Sequence, residues 1–346
     1  TKVLVIFGGR SSEYEVACRS AAYVTDQIDR EKYEVHTVGV TKEGRWLYTT
    51  AATEQMADYS WERLESNRPC VLSPDTALHG LQFADGEQMS FDVVFPVMHG
   101  KNGEDGTIQG LFGLAEIPYV GCDLISSANC MDKELTHTIL EAHGIKTAKW
   151  CAMLESELDV LDEKCDQMEK ELTYPMFVKP ANCGSSVGIS KVTNKQELKA
   201  GIKTAFSHDK KVVVEQGVTG IECEVAVMGN SKPFASTVGE IQAANEFYDY
   251  EAKYQNSESK TIIPATFSDN AIDAVRQQAI KAYKAMGCCG LARVDFFLCD
   301  NDTIILNEIN TLPGHTPISM YPKMMEHSGV GFPELITRLV KEAIAR

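Results

Sequence analysis

Apolar positions recur along the chain in two periods. Val3-Leu4-Val5-Ile6-Phe7 is a short β-rich run that stops at Gly8-Gly9, as expected of a strand buried in a parallel sheet. Over 15–28, Val16, Ser20, Ala21, Val24 and Ile28 fall on one helical face. Residues 33–40 and 91–98 read as further strands, and the latter runs into a polar, glycine-rich loop at 99–106. This alternation predicts a βαβ-type domain with functional loops at its strand ends.

From about residue 132 the texture changes. A helix over 132–143 leads to a strand near 147–153 and an acidic amphipathic helix over 155–172. A strand at 176–179, a Gly/Ser loop, a strand through 191, a helix from 194 and a strand at 212–215 complete a compact α+β unit. A third segment opens with a strand at 222–228. It holds a polar aromatic loop (245–260), a helix at 268–286 and strands at 292–298 and 303–309, with helices near 317 and 332 at its end. The pattern divides the chain at 1–131, 132–217 and 218–346, which suits 346 residues, too many for one ordinary core.

Composition narrows the partners. The formal net charge of -16 argues against a nucleic-acid or anionic-membrane surface, since phosphate-rich partners need a basic face. The 11 cysteines include no C-x-x-C pair and are scattered among apolar residues, as buried thiols in a reducing compartment are. The opening run is too short for a signal-peptide core and no stretch approaches a membrane span, so a cytoplasmic chain is expected.

The chemistry concentrates in a few places. Arg293 and Asp295 alternate on one predicted strand and Glu308 and Asn310 on the next, so each pair shares a face. If the strands pair, two carboxylates, an amide and a guanidinium converge, a set suited to Mg²⁺ and nucleotide phosphates; the plainer alternative is a surface ion-pair patch. Gly184-Ser185-Ser186-Val187-Gly188 follows Val178-Lys179-Pro180 and offers backbone N–H groups, hydroxyls and one lysine to phosphate oxygens. The same loop fits the G-x-S-x-G elbow of hydrolases, but an elbow must open a helix and 188–192 reads as a strand. Phe7 to Glu13 puts a carboxylate at a strand end, where it could hold an ammonium or merely cap a helix. His99 to Gly106 is a second such loop, in which a lone His is more often structural. The aperiodic stretch from Glu246 to Tyr254 has the character of a lid or of a packed surface loop.

Seven motifs occur in order: F-G-G-R-S-S-E-Y-E-V, H-G-K-N-G-E-D-G-T-I-Q-G, M-D-K, V-K-P-A-N-C-G-S-S-V-G-I-S-K-V, Y-D-Y-E-A-K-Y, A-R-V-D-F and N-E-I-N-T-L-P-G. Together, from about 2 to about 345, they resemble the D-alanine–D-alanine ligase family of the ATP-grasp superfamily. The resemblance implies a multidomain α/β and α+β chain, an ATP-grasp fold behind an N-terminal Rossmann-like domain. It implies ATP and two Mg²⁺ (or Mn²⁺) ions as cofactors, D-alanine in both subsites, a homodimer, and a role in peptidoglycan precursor synthesis.

It also implies roles for matching positions. Asp295, Glu308 and Asn310 would bind the metal ions, and Lys133, Lys179, Ser186 and Lys253 would contact ATP phosphates. Glu215 and Val218 would lie at the adenine hinge, and Glu222 would hold the ribose. Glu13 and His99 would hold the first D-amino acid, with Arg293 on the oxyanion. Ser185 and Tyr254 would link the lid to Glu13, while Gly314, Ser319 and Met320 would line the second subsite.

Departures are few. Ala17-Cys18 stands where the family usually has Ser, and Cys183 precedes the Gly/Ser turn. Met320, where D-serine-using ligases of the vancomycin-resistance type tend to carry Arg, together with Lys253-Tyr254, favours D-alanine as second substrate. The rival expectations are a D-alanine–D-serine ligase, a hydrolase built on Ser186, and a non-catalytic nucleotide-binding regulator.

Overall fold

The computed structural model describes residues 1–242 and 260–346, and its strands form three sheets. The first sheet has seven strands in the order β6-β5-β4-β3-β2-β1-β7. These are β1 Lys2–Gly8, β2 Glu34–Val40, β3 Trp46–Thr49, β4 Arg68–Leu72, β5 Gly80–Phe83, β6 Gln88–Ser90 and β7 Val93–Val97. Only β2, β1 and β7 run parallel, and β3 to β6 form an antiparallel meander on one edge. The expected βαβ unit is therefore present but extended by four short strands. Their sequences, interrupted at Pro69 and Gly80, show no sustained alternation.

The second sheet, β10-β9-β11-β8, comprises β8 Trp150–Leu154, β9 Met176–Pro180, β10 Ser190–Val192 and β11 Lys211–Gln216. Two helices, Leu161–Glu171 and Lys195–Phe206, bury Leu161, Cys165, Met168, Leu198, Ile202 and Ala205 against Met176, Val178, Val212 and Val214. Because side chains alternate along a strand, Lys179 and Glu215 emerge on the opposite face. The helix expected over 155–172 begins as a 3-10 turn, Glu155–Val160, which buries no residue. Without an apolar face to dock, that acidic segment has nothing to hold it in register.

The third sheet, β14-β13-β12-β15-β16, comprises β12 Ile221–Met228, β13 Phe234–Gln242, β14 Lys260–Ile262, β15 Leu291–Leu298 and β16 Ile304–Asn310. Its outer face carries the helix Asp269–Ala285, with Val275, Ala279, Ala282 and Tyr283 packed on Val225, Val294 and Phe296. Leu140 and Ile145, in and just after the helix Lys133–Ala142, lie in this core as well. The helices Met320–His327 and Phe332–Ile344 join the first sheet in one core, with Tyr321, Met324, Leu335 and Leu339 beside Val5, Phe7 and Phe95. Among the described residues, no helix is long and apolar enough to cross a membrane. The sequence-assigned loop around Lys253 and Tyr254 lies outside the described residues.

Candidate active site

A cavity of about 490 Å³ opens between the second and third sheets. Lys133, Lys179, Ser185, Ser186, Glu215, Val218, Glu222 and Glu308, scattered over 176 positions of sequence, all line it. Lys179 and Glu215 sit diagonally on β9 and β11 and pair at 2.6 Å. His137 completes Glu215 at 3.0 Å, stacked on Trp150 with centroids 5.3 Å apart. Burial opposes the charge on Glu215, but Lys179 and His137 outweigh it and hold the carboxyl down at about 2. Lys133, at the start of its helix, donates to the Cys183 carbonyl at 2.8 Å; burial pulls its pKa down, with Glu308 working the other way.

The Gly/Ser loop is strained as a phosphate-cradling loop can be. Ser185 and Ser186 hold φ of 50° and 58°, a left-handed conformation that non-glycine residues keep only when surroundings enforce it. One enforcing contact is Ser185 Oγ, which donates to Glu13 Oε1 at 2.5 Å. The loop from the second sheet is thereby tied to the first. It continues into β10, not into a helix, so the hydrolase elbow is absent.

Glu13 is buried and borders a second opening of about 730 Å³ with Ser11, Gly100 and Gly184. His99 lies beneath it, only 5% exposed, with Nδ1 on the Leu312 carbonyl at 2.9 Å and Nε2 on Ser20 Oγ at 3.3 Å. Both ring nitrogens thus face protein groups. Ser20 also accepts from the His315 backbone N–H at 3.2 Å, so the helix Tyr14–Gln27 and the loop of His99 are both fastened to the loop after β16. On that loop Ser319 Oγ accepts from Thr316 N at 3.0 Å, and a Cβ on Gly314 would come within 3.0 Å of it. Met320 is buried in the core, its methyl crowded against Gly239, and lines none of the three cavities described here.

Burial pushes His99 down to about 4 and His315 to about 3, with the neighbouring His99 adding to the second shift. Unfolded imidazoles take up protons near 6.5, so between 6.5 and 4 the unfolded chain binds more protons than the folded one. Stability is therefore expected to fall as pH drops through that window, by on the order of 3 kcal/mol from His99 alone. Thermal melts from pH 8 to 4 check this; a flat profile would show that neither ring is held neutral.

Across β12, β15 and β16, Glu224, Asp295 and Glu308 stand in register on one face, with Arg293 and Asn310 opposite each other two residues on. Asn310 Nδ2 reaches Asp295 at 3.1 Å and Glu308 at 3.5 Å. Arg293 forks onto Asp295, through Nε at 2.7 Å and Nη2 at 2.6 Å. Burial works against the charge on Arg293, but Asp295 and Glu224 outweigh it and fix the proton. Asp295, Glu308 and Asn310 offer hard oxygens with more negative charge than Arg293 cancels, which fits a divalent cation. A small void of about 50 Å³, bordered by Glu104, Lys133, Glu308 and Asn310, shares Lys133 and Glu308 with the larger cavity.

A family model described as D-ala D-ala ligase N-terminus matches residues 2–122, and one described as D-ala D-ala ligase C-terminus matches 139–341. The chain belongs to the D-alanine–D-alanine ligase family. It is 45% identical to the D-alanine–D-alanine ligase of Acetivibrio thermocellus, over 100% of this chain and 96% of that one. A solved VanG D-Ala:D-Ser ligase from Enterococcus faecalis superposes with TM-score 0.92 at 40% identity, covering 99% of each chain. The D-alanine-D-alanine ligase from Coxiella burnetii gives 0.85 at 36% identity, covering 100% of this chain and 95% of that one. The chain is a ligase with the ATP-grasp fold, and its family uses ATP.

Several polar residues of this ligase's site escape a sequence reading. Glu224 alternates with Glu222 in Ile221-Glu222-Cys223-Glu224, a period-two signal that marks it as sharing the cleft face. Glu104, pushed up to about 8 by burial and by the charge of Glu13, accepts from Gly100 N–H at 2.7 Å. His137, Ser20 and His315 carry no local signal; only packing brings them to the site.

Proposed function

We propose that this ligase joins two D-alanines into D-alanyl-D-alanine by way of an acyl phosphate, releasing ADP and phosphate. The observation that carries the reading is the convergence of Lys133, Lys179 and Glu308 on one cleft that Ser185 ties to Glu13. A carboxylate resists attack by an amine because oxide is a poor leaving group; γ-phosphoryl transfer converts it into a reactive acyl phosphate. Lys133 and Lys179 neutralise charge on the phosphates, and the Gly/Ser loop cradles them. Glu222 takes the ribose, with Glu215 and Val218 at the base. Arg293 faces the developing oxyanion, Glu13 holds the first substrate's ammonium, and Ser319 with Gly314 receives the second substrate's carboxylate. His99, assigned from the sequence to the first substrate together with Glu13, has both ring nitrogens on protein groups, which supports a role in holding that loop from beneath. Asp295, Glu308 and Asn310 would hold two Mg²⁺ (or Mn²⁺) ions, which supply charge neutralisation to the phosphates. The sequence-assigned roles of Lys253 on the γ-phosphate and of Tyr254, with Ser185, in linking a lid to Glu13 are part of the same reading.

A division at 131 and 217 is supported by the strands, since β1 to β7 precede 131, β8 to β11 lie between and β12 to β16 follow 217, although the helices at 133–142 and 320–344 pack across those bounds. A cytoplasmic setting is supported by 11 free thiols, Cys130 and Cys288 among them with sulfurs 3.8 Å apart and unjoined. A homodimer is supported by Leu114, Leu124 and Ile125, exposed together on two packed helices.

The test is phosphate release with ATP, Mg²⁺ and D-alanine, alone and with D-serine or D-lactate, with products identified by mass. D-Ala-D-Ala as the main product is expected. D-Ala-D-Ser would install the second reading, for which the VanG likeness is the supporting observation against the many D-alanine–D-alanine ligase relatives. Absence of amino-acid-dependent phosphate release would overturn both.

Gly100→Ala probes the first subsite. Gly100 has φ of 69°, and an added Cβ would lie 2.3 Å from Glu13 Oε2. The variant is expected to raise the KM for D-alanine at least about tenfold while ATP affinity holds, read from initial rates and ATP titration.

A further inference from the structure

Glu224, Asp295 and Glu308 stand directly opposite one another on three adjacent strands. Like charges so placed repel, and the side chains of Glu224 and Asp295, 2% and 0% exposed, gain little screening from water. Among the described residues, the cation between them is Arg293. Its Nε donates its single hydrogen to Asp295 Oδ1 at 2.7 Å, and Nη2 donates to Oδ2 at 2.6 Å. Glu224 Oε2 lies 3.1 Å from the same Nε, on the strand opposite. Nε therefore has two carboxylate oxygens within reach and one proton to give.

Under the proposed function, Asp295 binds a cation and Arg293 faces substrate. In the closed fork each Asp295 oxygen already accepts from Arg293, which leaves a cation only the remaining lone pairs and keeps the Nε–Nη2 edge of the guanidinium on Asp295. We propose that Glu224 is a positioning residue that receives the Arg293 Nε–H when Asp295 turns to a cation. The guanidinium then pivots about Nε between two carboxylates and leaves its Nη edge directed at the substrate. Glu224 keeps the inner edge of a buried guanidinium paired throughout, so opening the fork does not strand a charge. The inference rests on the metal and oxyanion roles assigned above.

The test compares Glu224→Gln, Glu224→Asp, Arg293→Ala, Asp295→Ala and the Glu224→Gln/Arg293→Ala double variant. Steady-state kinetics are read alongside Mn²⁺ affinity of the nucleotide-free protein by electron paramagnetic resonance. Glu224→Gln is expected to lower kcat about 10²-fold with little change in KM for ATP, and to weaken Mn²⁺ about tenfold. Glu224→Asp restores most of both. In the Arg293→Ala background, Glu224→Gln costs nothing further in either readout. A loss of Mn²⁺ affinity that persists without Arg293 would mean a through-space charge effect and would overturn the proposal. So would kcat and Mn²⁺ affinity within about twofold of the parent, even with a lowered melting temperature. Unchanged Mn²⁺ binding in Asp295→Ala would instead bring down the metal reading, and the role of Glu224 with it.

Discussion

Asp295→Ala is expected to abolish amino-acid-dependent phosphate release, with kcat falling at least about 10³-fold. The carboxylate is fully buried, aligned with Glu308 across the strand pair, and joined to Arg293 through both oxygens. Its removal takes away an anionic oxygen suited to a divalent cation and also the partner that orients the guanidinium. The chain should still fold, because Glu224, 3.1 Å from Arg293, remains to balance the charge. Loss of stability is expected to stay within the 3–5 kcal/mol typical of breaking a buried pair. The informative comparison is phosphate release against ATP binding measured without divalent metal. Lost turnover with retained metal-free ATP binding is the expected pattern. Near-normal turnover would remove Asp295 from the metal site.

Lys179→Met should strike both nucleotide binding and stability. Lys179 and Glu215 are 13% and 8% exposed at their side chains and pair at 2.6 Å. Removing the ammonium leaves Glu215 buried with only the His137 ring at 3.0 Å beside it among the described residues, a loss of about 3–5 kcal/mol by analogy with other broken buried pairs. The pH dependence gives the effect a sign. Glu215 titrates at about 2 when folded against an ordinary 4.5, so its contribution is complete above about 4.5 and fades as pH falls towards 2. The stability gap between parent and variant should therefore be widest near neutrality and narrow below pH 4.5. Urea unfolding at pH 7 and pH 3.5 reads it directly. A gap that stays constant across that range would mean that Lys179 does not hold the Glu215 carboxylate down. On the proposed phosphate role of Lys179, ATP affinity is expected to fall at least about tenfold.

Much of this was legible in the chain because the signals are local. A strand buried on both faces is a run such as Val3 to Phe7, and it can hardly fold otherwise. A polar residue that alternates with apolar ones, as Arg293 and Asp295 do around Val294, declares its face without knowledge of its neighbours. The four-strand meander between β2 and β7 lacked such signals, because short edge strands with a Pro and several Gly bury too little to impose a period. β13 was equally silent: Ser236, Thr237, Gly239 and Glu240 break any apolar period, and the strand holds because β12 and β14 pair with Gly239 and Glu240 while Ser328 Oγ and Arg276 take the Thr237 N–H and the Ser236 carbonyl at the bulge.

By itself the sequence determined the family and which polar side chains share a face of which strand. Periodicity of 2 and 3.6 is a property of the backbone and needs no partner. The tertiary structure decided who meets whom. Ser185 reaches Glu13 across 172 positions, and His99 reaches the Leu312 carbonyl across 213. It also decided that the Met320 side chain enters the core, that His137 lies behind Glu215, and that Arg293 stands between Asp295 and Glu224. These are matters of burial and of charge paired at low dielectric, both set by the packing of sheets remote in sequence, and no local pattern along the chain encodes them.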